Sequence, residues 1–520
     1  TTGKCNAPAT LSGLECDKLS KNGLDAHWKG MMSKIIERIG YLNVLKYCII
    51  DSYEAGGQNW TPEFETEFLK RRGYSLRPYL PTVVGYVVGK PSESARFLYD
   101  FQRTVAELFA ENYYDYFTEL CHKNGLLSIT ESYFGSFDYL RCARKADIPS
   151  GEFWIGSKTP ISCLYRSAGH FHGKKYMAAE AFTTDEKQGR WLQDPQQLKE
   201  YGDRAWAQGI SKLISHSFVH QPYLNVRPGF TLGRHGAHLS RTNTWWKYGN
   251  GWIDYINRAQ FLLQSGEPVV HILILSGESD PNKYTRIPEL SWAGYGYDYC
   301  CVDDLYDYIT VRKHRITSPS GVTYSCLSLG EEKYLTKKTL ESVYHLLCSG
   351  AVILGRRPLG SPSLSDKADE YNELVEKIWG ASKQGEIRKI GKGKLINSTD
   401  YLSVMNHIGI LPDVKAPAGI STLHRRQGDI DIFFLYNDSC RTVSQDIKFR
   451  ICGNKIPECW NADKAKIDTV ALWKREGDYI TIPVTMLPRE SRFVIFHPGS
   501  VPHLFMIGEE KTRKKNPSGV

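Results

Sequence analysis

No two of the 13 cysteines stand in a Cys-x-x-Cys pair, the spacing that zinc ribbons and thioredoxin-like redox sites use. Thirteen is odd, so at least one thiol stays free if the others pair, and cysteine usage leaves the compartment open. No apolar run reaches the roughly 18 residues of a membrane-spanning helix. Neither sign of charge dominates: 66 Lys and Arg against 57 Asp and Glu leave +9 over 520 residues. Basic residues cluster only in the stretch EEKTRKKNPSGV, expected to be a disordered tail over 506–520, so no nucleic-acid groove is predicted. Internal repeats are absent. The chain starts at Thr1 without a signal-peptide pattern, and a piece of a longer or processed protein is expected.

What the chain does have is aromatic residues, 31 Tyr, 20 Phe and 12 Trp. Most are expected in the core, with a sugar-stacking surface as the alternative use. It also has a regular alternation of strand-like and helix-like segments up to about residue 265. Strands are predicted near 46–51, 126–131, 148–154, 175–182 and 212–218, with helices such as 94–124 and one capped by Asp194-Pro195 between them. Thr61-Pro62 is expected to open another helix as N-cap and first residue. Such alternation implies parallel pairing. No Gly-x-Gly-x-x-Gly follows any of these strands, which disfavours a doubly wound nucleotide-binding sheet and favours a (β/α) barrel over 1–265.

The texture then changes. PVVHILILS, GVTYSCLSLG and the helical TKKTLESVYHLLCSGA suggest a small three-layer α/β domain over 266–385. The polar, basic ASKQGEIRKIGKGK reads as a linker. Period-two segments such as DIDIFFLYN and YITIPVTM predict a β-sandwich over 386–505.

Four of the five early strands carry an acid at or just past the C-terminal end: Glu54, Glu131, Glu152 and Glu180. The fifth carries His216 and His220. A barrel builds its active site at that end, from several strands. Two carboxyls across a sugar-sized gap suffice for glycoside hydrolysis, one protonating the leaving oxygen and the other activating water or attacking the anomeric carbon. Further acids could hold a hard cation such as calcium. Structural readings compete. Asp51 could cap its own turn, and Glu131 or Glu152 could pair with Arg141, Arg144 or Arg166. His216 and His220 could be rim histidines, and Trp245 could be packing. Cys142 and Cys163 lack a base partner and read as structural. Glu180, among the small and apolar residues of MAAEAF, would be costly to bury without a purpose.

The segments DSYEAGGQNWTPEFETEFLKRRGY, RPYLPTVVGYVVG, RFLYDFQRTVAELFAENYY, AEAFT, HQPY and RTNTWW closely resemble α-L-rhamnosidases of glycoside hydrolase family 106. The likeness covers most of 13–265 and continues more loosely beyond. It implies a (β/α)8 barrel and an inverting, calcium-assisted hydrolysis of terminal α-L-rhamnose. Glu54 and Glu180 would be the catalytic carboxyls, Glu54 as acid and Glu180 as base, with Asp51 supporting Glu54 and Glu152 helping to hold Ca2+. Asn59, Trp60, Glu131, His216, His220 and Trp245 would contact the sugar. For inversion the two carboxyls should stand ~6.5–9.5 Å apart. If Glu54 follows the fourth barrel strand, three earlier strands are missing; the natural protein is expected to extend upstream, or this chain to be an inactive fragment. A secreted or periplasmic location is expected from the substrate class. A β-galactosidase-like specificity and a non-catalytic carbohydrate-binding remnant are the rival expectations.

Overall fold

The computed structural model describes residues 15–499, apart from 157–161, 186, 190, 224, 233–234, 279–283 and 285. The expected tail at 506–520 and the side chain of Cys163 lie outside the described residues. No helix among them is long and apolar enough to cross a membrane.

Five strands form the first sheet: β1 (Tyr47–Ile50), β2 (Leu127–Glu131), β3 (Ile148–Trp154), β4 (Ala178–Thr183) and β5 (Lys212–Ser215). They pair in chain order and all in parallel, with helices between them, as half of a barrel. Burial explains their composition. The central β3 is inaccessible along nearly its whole length, whereas on β1 the side chains of Tyr47 and Ile49 are exposed.

The helices that follow are α1 (Pro91–Phe109), α2 (Ser162–His172), α3 (Pro195–Ala207) and α4 (Asn250–Leu263). The predicted helix over 94–124 is not uniform. A π-helical stretch, Ala110–Asp115, separates α1 from a further helix Tyr116–Lys123, and Asp115 in it receives both terminal nitrogens of Arg141 at 3.1 and 2.9 Å. Asp194 caps α3 as expected, accepting from the Gln197 amide at 2.9 Å. Thr61 does not cap its helix, which starts at Phe64; its hydroxyl donates to Asp17 instead, at 2.6 Å.

The second sheet has six strands. Ile272–Leu275, Tyr297–Cys300, Cys326–Ser328, Val352–Leu354 and Gly393–Ile396 run parallel, and Ile387–Ile390 pairs antiparallel at the edge. The expected boundary at 385/386 therefore falls too early, because the stretch read as a linker supplies two strands. Charged residues such as Arg388 and Lys389 disguise it, and charge on an edge strand is a common guard against edge-to-edge pairing.

Downstream lie two antiparallel sheets of four and six strands. Facing side chains from both, among them Phe433, Phe449, Ile480 and Phe496, form one buried cluster. The short strand Glu267–Pro268 pairs with Ile420–Gln427 and so joins the larger of these sheets. Apolar clusters also cross between regions: Trp206 of α3 and Ala259 of α4 pack with Phe434 and Phe493, and Leu164 of α2 packs with Ile272 and Met405.

Candidate active site

Parallel strands deliver their C-terminal ends to one rim of the half-barrel, and the acids sit there. β1 ends at the buried Ile50; Asp51 and Glu54 follow on an exposed turn. Between them Tyr53 turns inward, its ring meeting Phe109 and Phe137 edge-on at 5.5 and 5.6 Å. Its hydroxyl donates to the Gly56 carbonyl at 2.7 Å, and its amide to the Tyr133 carbonyl at 3.3 Å. One apolar anchor thus ties the turn after β1 to the turn after β2 and holds the acids on either side of it outward.

Glu131 closes β2 and is buried. The Tyr133 hydroxyl donates to it at 2.6 Å and also lies 3.1 Å from Glu152 on β3. Ser150 donates to the other oxygen of Glu131 at 3.2 Å, and the indole of Trp154 donates to Glu152 at 2.5 Å. Alternation along a strand places residues two apart on one face, which is how Ser150, Glu152 and Trp154 come to line one surface. On β4 the half-buried Glu180 accepts from Thr183. His216, one residue past β5, places its Nδ1 3.8 Å from Glu180, while its amide donates to the Ala181 carbonyl at 2.8 Å.

Asp51, Glu131 and Glu180 converge so that one carboxylate oxygen from each lies within 4.8 Å of the others. Crowding and burial mark their protonation. Burial pushes the Glu131 carboxyl up to about 9, with the charges of Glu180 and Asp51 adding to it against the Tyr133 hydrogen bond. Glu152 and Glu180 are raised as well, chiefly by burial, and the charge of Glu54 contributes to both. His216 is lowered by burial, which the nearby Asp51 partly opposes.

Asp51 accepts from the Ser52 amide within its own turn at 2.9 Å, whereas the arginine partners considered for Glu131 and Glu152 are engaged elsewhere. Arg141 is taken by Asp115, Arg144 reaches Asp307 at 3.3 Å, and the Arg166 guanidinium stands 3.3 Å from Asp298. Among the described residues, Glu131, Glu152 and Glu180 form no ion pair with lysine or arginine. Buried carboxyls without cationic partners are costly to keep, so this cluster is not a stabilising ion-pair network.

Five acids predicted from the sequence therefore meet at one rim. Trp245 is half-buried against Trp246 and Trp252, and its indole donates to the Gln193 carbonyl at 3.0 Å, which is a packing position. Trp60 is partly exposed with its ring 5.0 Å from Phe64; Asn59 and His220 are exposed. Glu152, the expected calcium ligand, is outside the three-carboxylate group. Cys142 is buried. Tyr133, Trp154 and Thr183 escaped the sequence reading, although each stands two or three residues past an acid that it now holds.

The model of the family described as alpha-L-rhamnosidase, glycoside hydrolase 106, matches residues 1–474. A solved rhamnosidase from Novosphingobium sp. PP1Y superposes with a TM-score of 0.87 at 28% identity, over 96% of this chain and 50% of that one. A curated protein of Formosa agariphila named "Putative beta-glucuronidase" is 39% identical over 510 residues, 95% of this chain and 42% of its own. The chain thus spans about half the length of these relatives. A β-galactosidase from Bacillus circulans sp. alkalophilus shares the fold at a TM-score of 0.60 and 11% identity, covering 92% of this chain and 83% of that one. By the extent of the family match, this chain belongs to glycoside hydrolase family 106, the α-L-rhamnosidase family.

Proposed function

We propose that the rim of the half-barrel removes terminal α-L-rhamnose from glycans with inversion of configuration, using Glu54 and Glu180 as the carboxyl pair. The convergence of Asp51, Glu131 and Glu180 to within 4.8 Å, on a rim that Glu54 and Glu152 share, carries this reading. Glu54, exposed on a turn at the edge of the hollow, gives its proton to the leaving oxygen. Glu180, deeper and oriented by Thr183, takes the proton of the attacking water. Inversion needs the two to face one another across the sugar and that water.

Calcium fits the donor set. Asp51, Glu131 and Glu180 offer three hard carboxyl oxygens, the ligand type that Ca2+ takes in sets of six to eight, and Glu131 would give up its proton to join them. When bound, the ion would neutralise crowded carboxylates and fix hydroxyls of the sugar. Tyr133 keeps Glu131 and Glu152 in place beneath this group, and His216 borders it beside Glu180.

A panel of aryl glycosides tests the reading, with proton NMR of the first anomer released. Turnover of the α-L-rhamnoside with inverted product, lost in chelator and restored by Ca2+, is the expected result. Preference for a β-glucuronide or β-galactoside would overturn the sugar assignment. Sugar binding without any turnover would make the chain a binding module instead.

A further inference from the structure

A second cavity, away from the acids, lies where the second sheet meets the larger antiparallel sheet. It encloses about 850 Å³, and Arg315, Arg426, Arg450 and His271 stand in its wall. Arg426 is neutralised by Asp431 at 2.7 Å. Arg315 differs. Arg315, half-buried on the strand Arg315–Thr317, bonds only neutral oxygens: the Thr323 hydroxyl at 3.1 Å, the Ser325 hydroxyl at 3.3 Å and the Thr323 carbonyl at 3.2 Å. It has no carboxylate partner among the described residues. Three of its five N–H groups are thereby used, and two remain.

Arg450, from the strand Val443–Arg450, spends one terminal nitrogen on Asp413 at 2.5 Å and on His271 at 3.2 Å. Its Nε is buried without a hydrogen-bond partner among the described residues. Burial, and after it the positive charge of Arg450, pulls the Arg315 guanidinium below its usual range. The acids in the same wall, Glu267 and Asp478, are exposed and pair with neither arginine. Arg450 is ion-paired to Asp413, but Arg315 beside it has no carboxylate among the described residues, and a half-buried guanidinium with spare N–H groups costs stability unless something negative joins it.

We propose that this cavity binds a small oxyanion in the guanidinium forks of Arg315 and Arg450, either a free ion or the charged group of an acidic sugar. Planar forks match the paired oxygens of sulfate and carboxylate, and the volume admits a monosaccharide around the anion. The site is independent of the acid rim, which would repel such a ligand.

Calorimetric titration of the intact chain with sodium sulfate, at ionic strength held constant with sodium chloride, is expected to give saturable one-site heat. Arg315→Gln should weaken it at least about tenfold, the loss expected of a charge-assisted contact. The same variant should melt higher than wild type in chloride alone, because it removes a like charge, and lower in saturating sulfate. Sodium glucuronate, with glucose as the uncharged control, separates the sources: glucuronate that displaces sulfate and binds more tightly assigns a sugar-borne anion, and sulfate binding alone assigns a free ion. Should Arg315→Gln not fold, Arg315→Lys keeps the charge but loses the fork, and the same weakening is expected. No saturable heat from either anion, or affinities unchanged in the variants, would overturn the proposal.

Discussion

Glu131 shows how much one position can govern. With its folded carboxyl pushed up to about 9 and an unfolded value near ~4.3, the fold prefers it protonated. The stability this gives is full below ~4.3 and is lost as pH climbs toward 9, by roughly 1.4 kcal/mol per unit while the folded form stays protonated. Glu131→Gln cannot ionise, so its melting temperature should gain on wild type between pH 5 and pH 8, measured calorimetrically in chelator. A constant difference across that range would contradict the assignment. The proposed catalytic pair, Glu54 and Glu180, has its own signature. Glu54→Gln should lose at least about 100-fold on a glycoside with a poor leaving group but far less on a dinitrophenyl glycoside, which needs no proton. Glu180→Gln should lose activity on both; the reverse pattern would swap the roles. Since a base must be ionised and Glu180 is raised, activity should fall on the acid side above the ordinary glutamate range. At this scale the acids were legible because a carboxyl after an apolar strand is costly. Their hydrogen-bond donors were not, because Tyr, Trp and Thr are ordinary strand residues.

Among the strands of the half-barrel, β3 leaves little room for change. A Cβ on Gly151 would meet the ring of Tyr165 at 2.6 Å, and that ring lies 6.3 Å from Tyr133, which holds Glu131 and Glu152. Overpacking of this kind costs ~1–3 kcal/mol. Gly151→Ala should therefore lower the denaturant midpoint and also reduce turnover, whereas the nearby Gly156, which turns the chain after β3 at φ +87°, carries no such link to the acids. The five strands of the half-barrel were legible from apolar runs of four to six residues with helices between them. The stretch 381–394 was not. An edge strand alternating Ile with Arg and Lys resembles a solvated linker until its partner strand is known, and Thr61 looked like a cap because Asp17, its actual partner, lies 44 positions away.

Across the molecule, apolar clusters ignore the boundaries that sequence texture suggested. Trp206 on α3 is fully buried between Tyr255 of α4 and Phe434 of the C-terminal sheets, at 5.4 and 6.3 Å. Salt bridges from Arg204 and Arg489 to Asp438, at 2.7 and 2.6 Å, flank the same seam. Barrel and antiparallel sheets should then melt together. Trp206→Ala, a loss of ~3–5 kcal/mol, should lower one calorimetric transition rather than split it, and two resolved peaks would show the regions to be independent. Composition shifts revealed where architecture changes along the chain. They carried no information on how the parts adhere, since contacts between distant segments leave no periodic trace.

β1 is fastened on one flank alone, to β2, among the described residues, yet the turn it feeds bears Asp51 and Glu54, while Glu180 rides on β4 between two neighbours. In the proposed reaction the gap between Glu54 and Glu180 is thus gauged by a loosely moored rod against a clamped one. Amides of β1 should exchange deuterium well before those of β3, and whatever steadies that outer flank would tune the breadth of the hollow without touching a single acid.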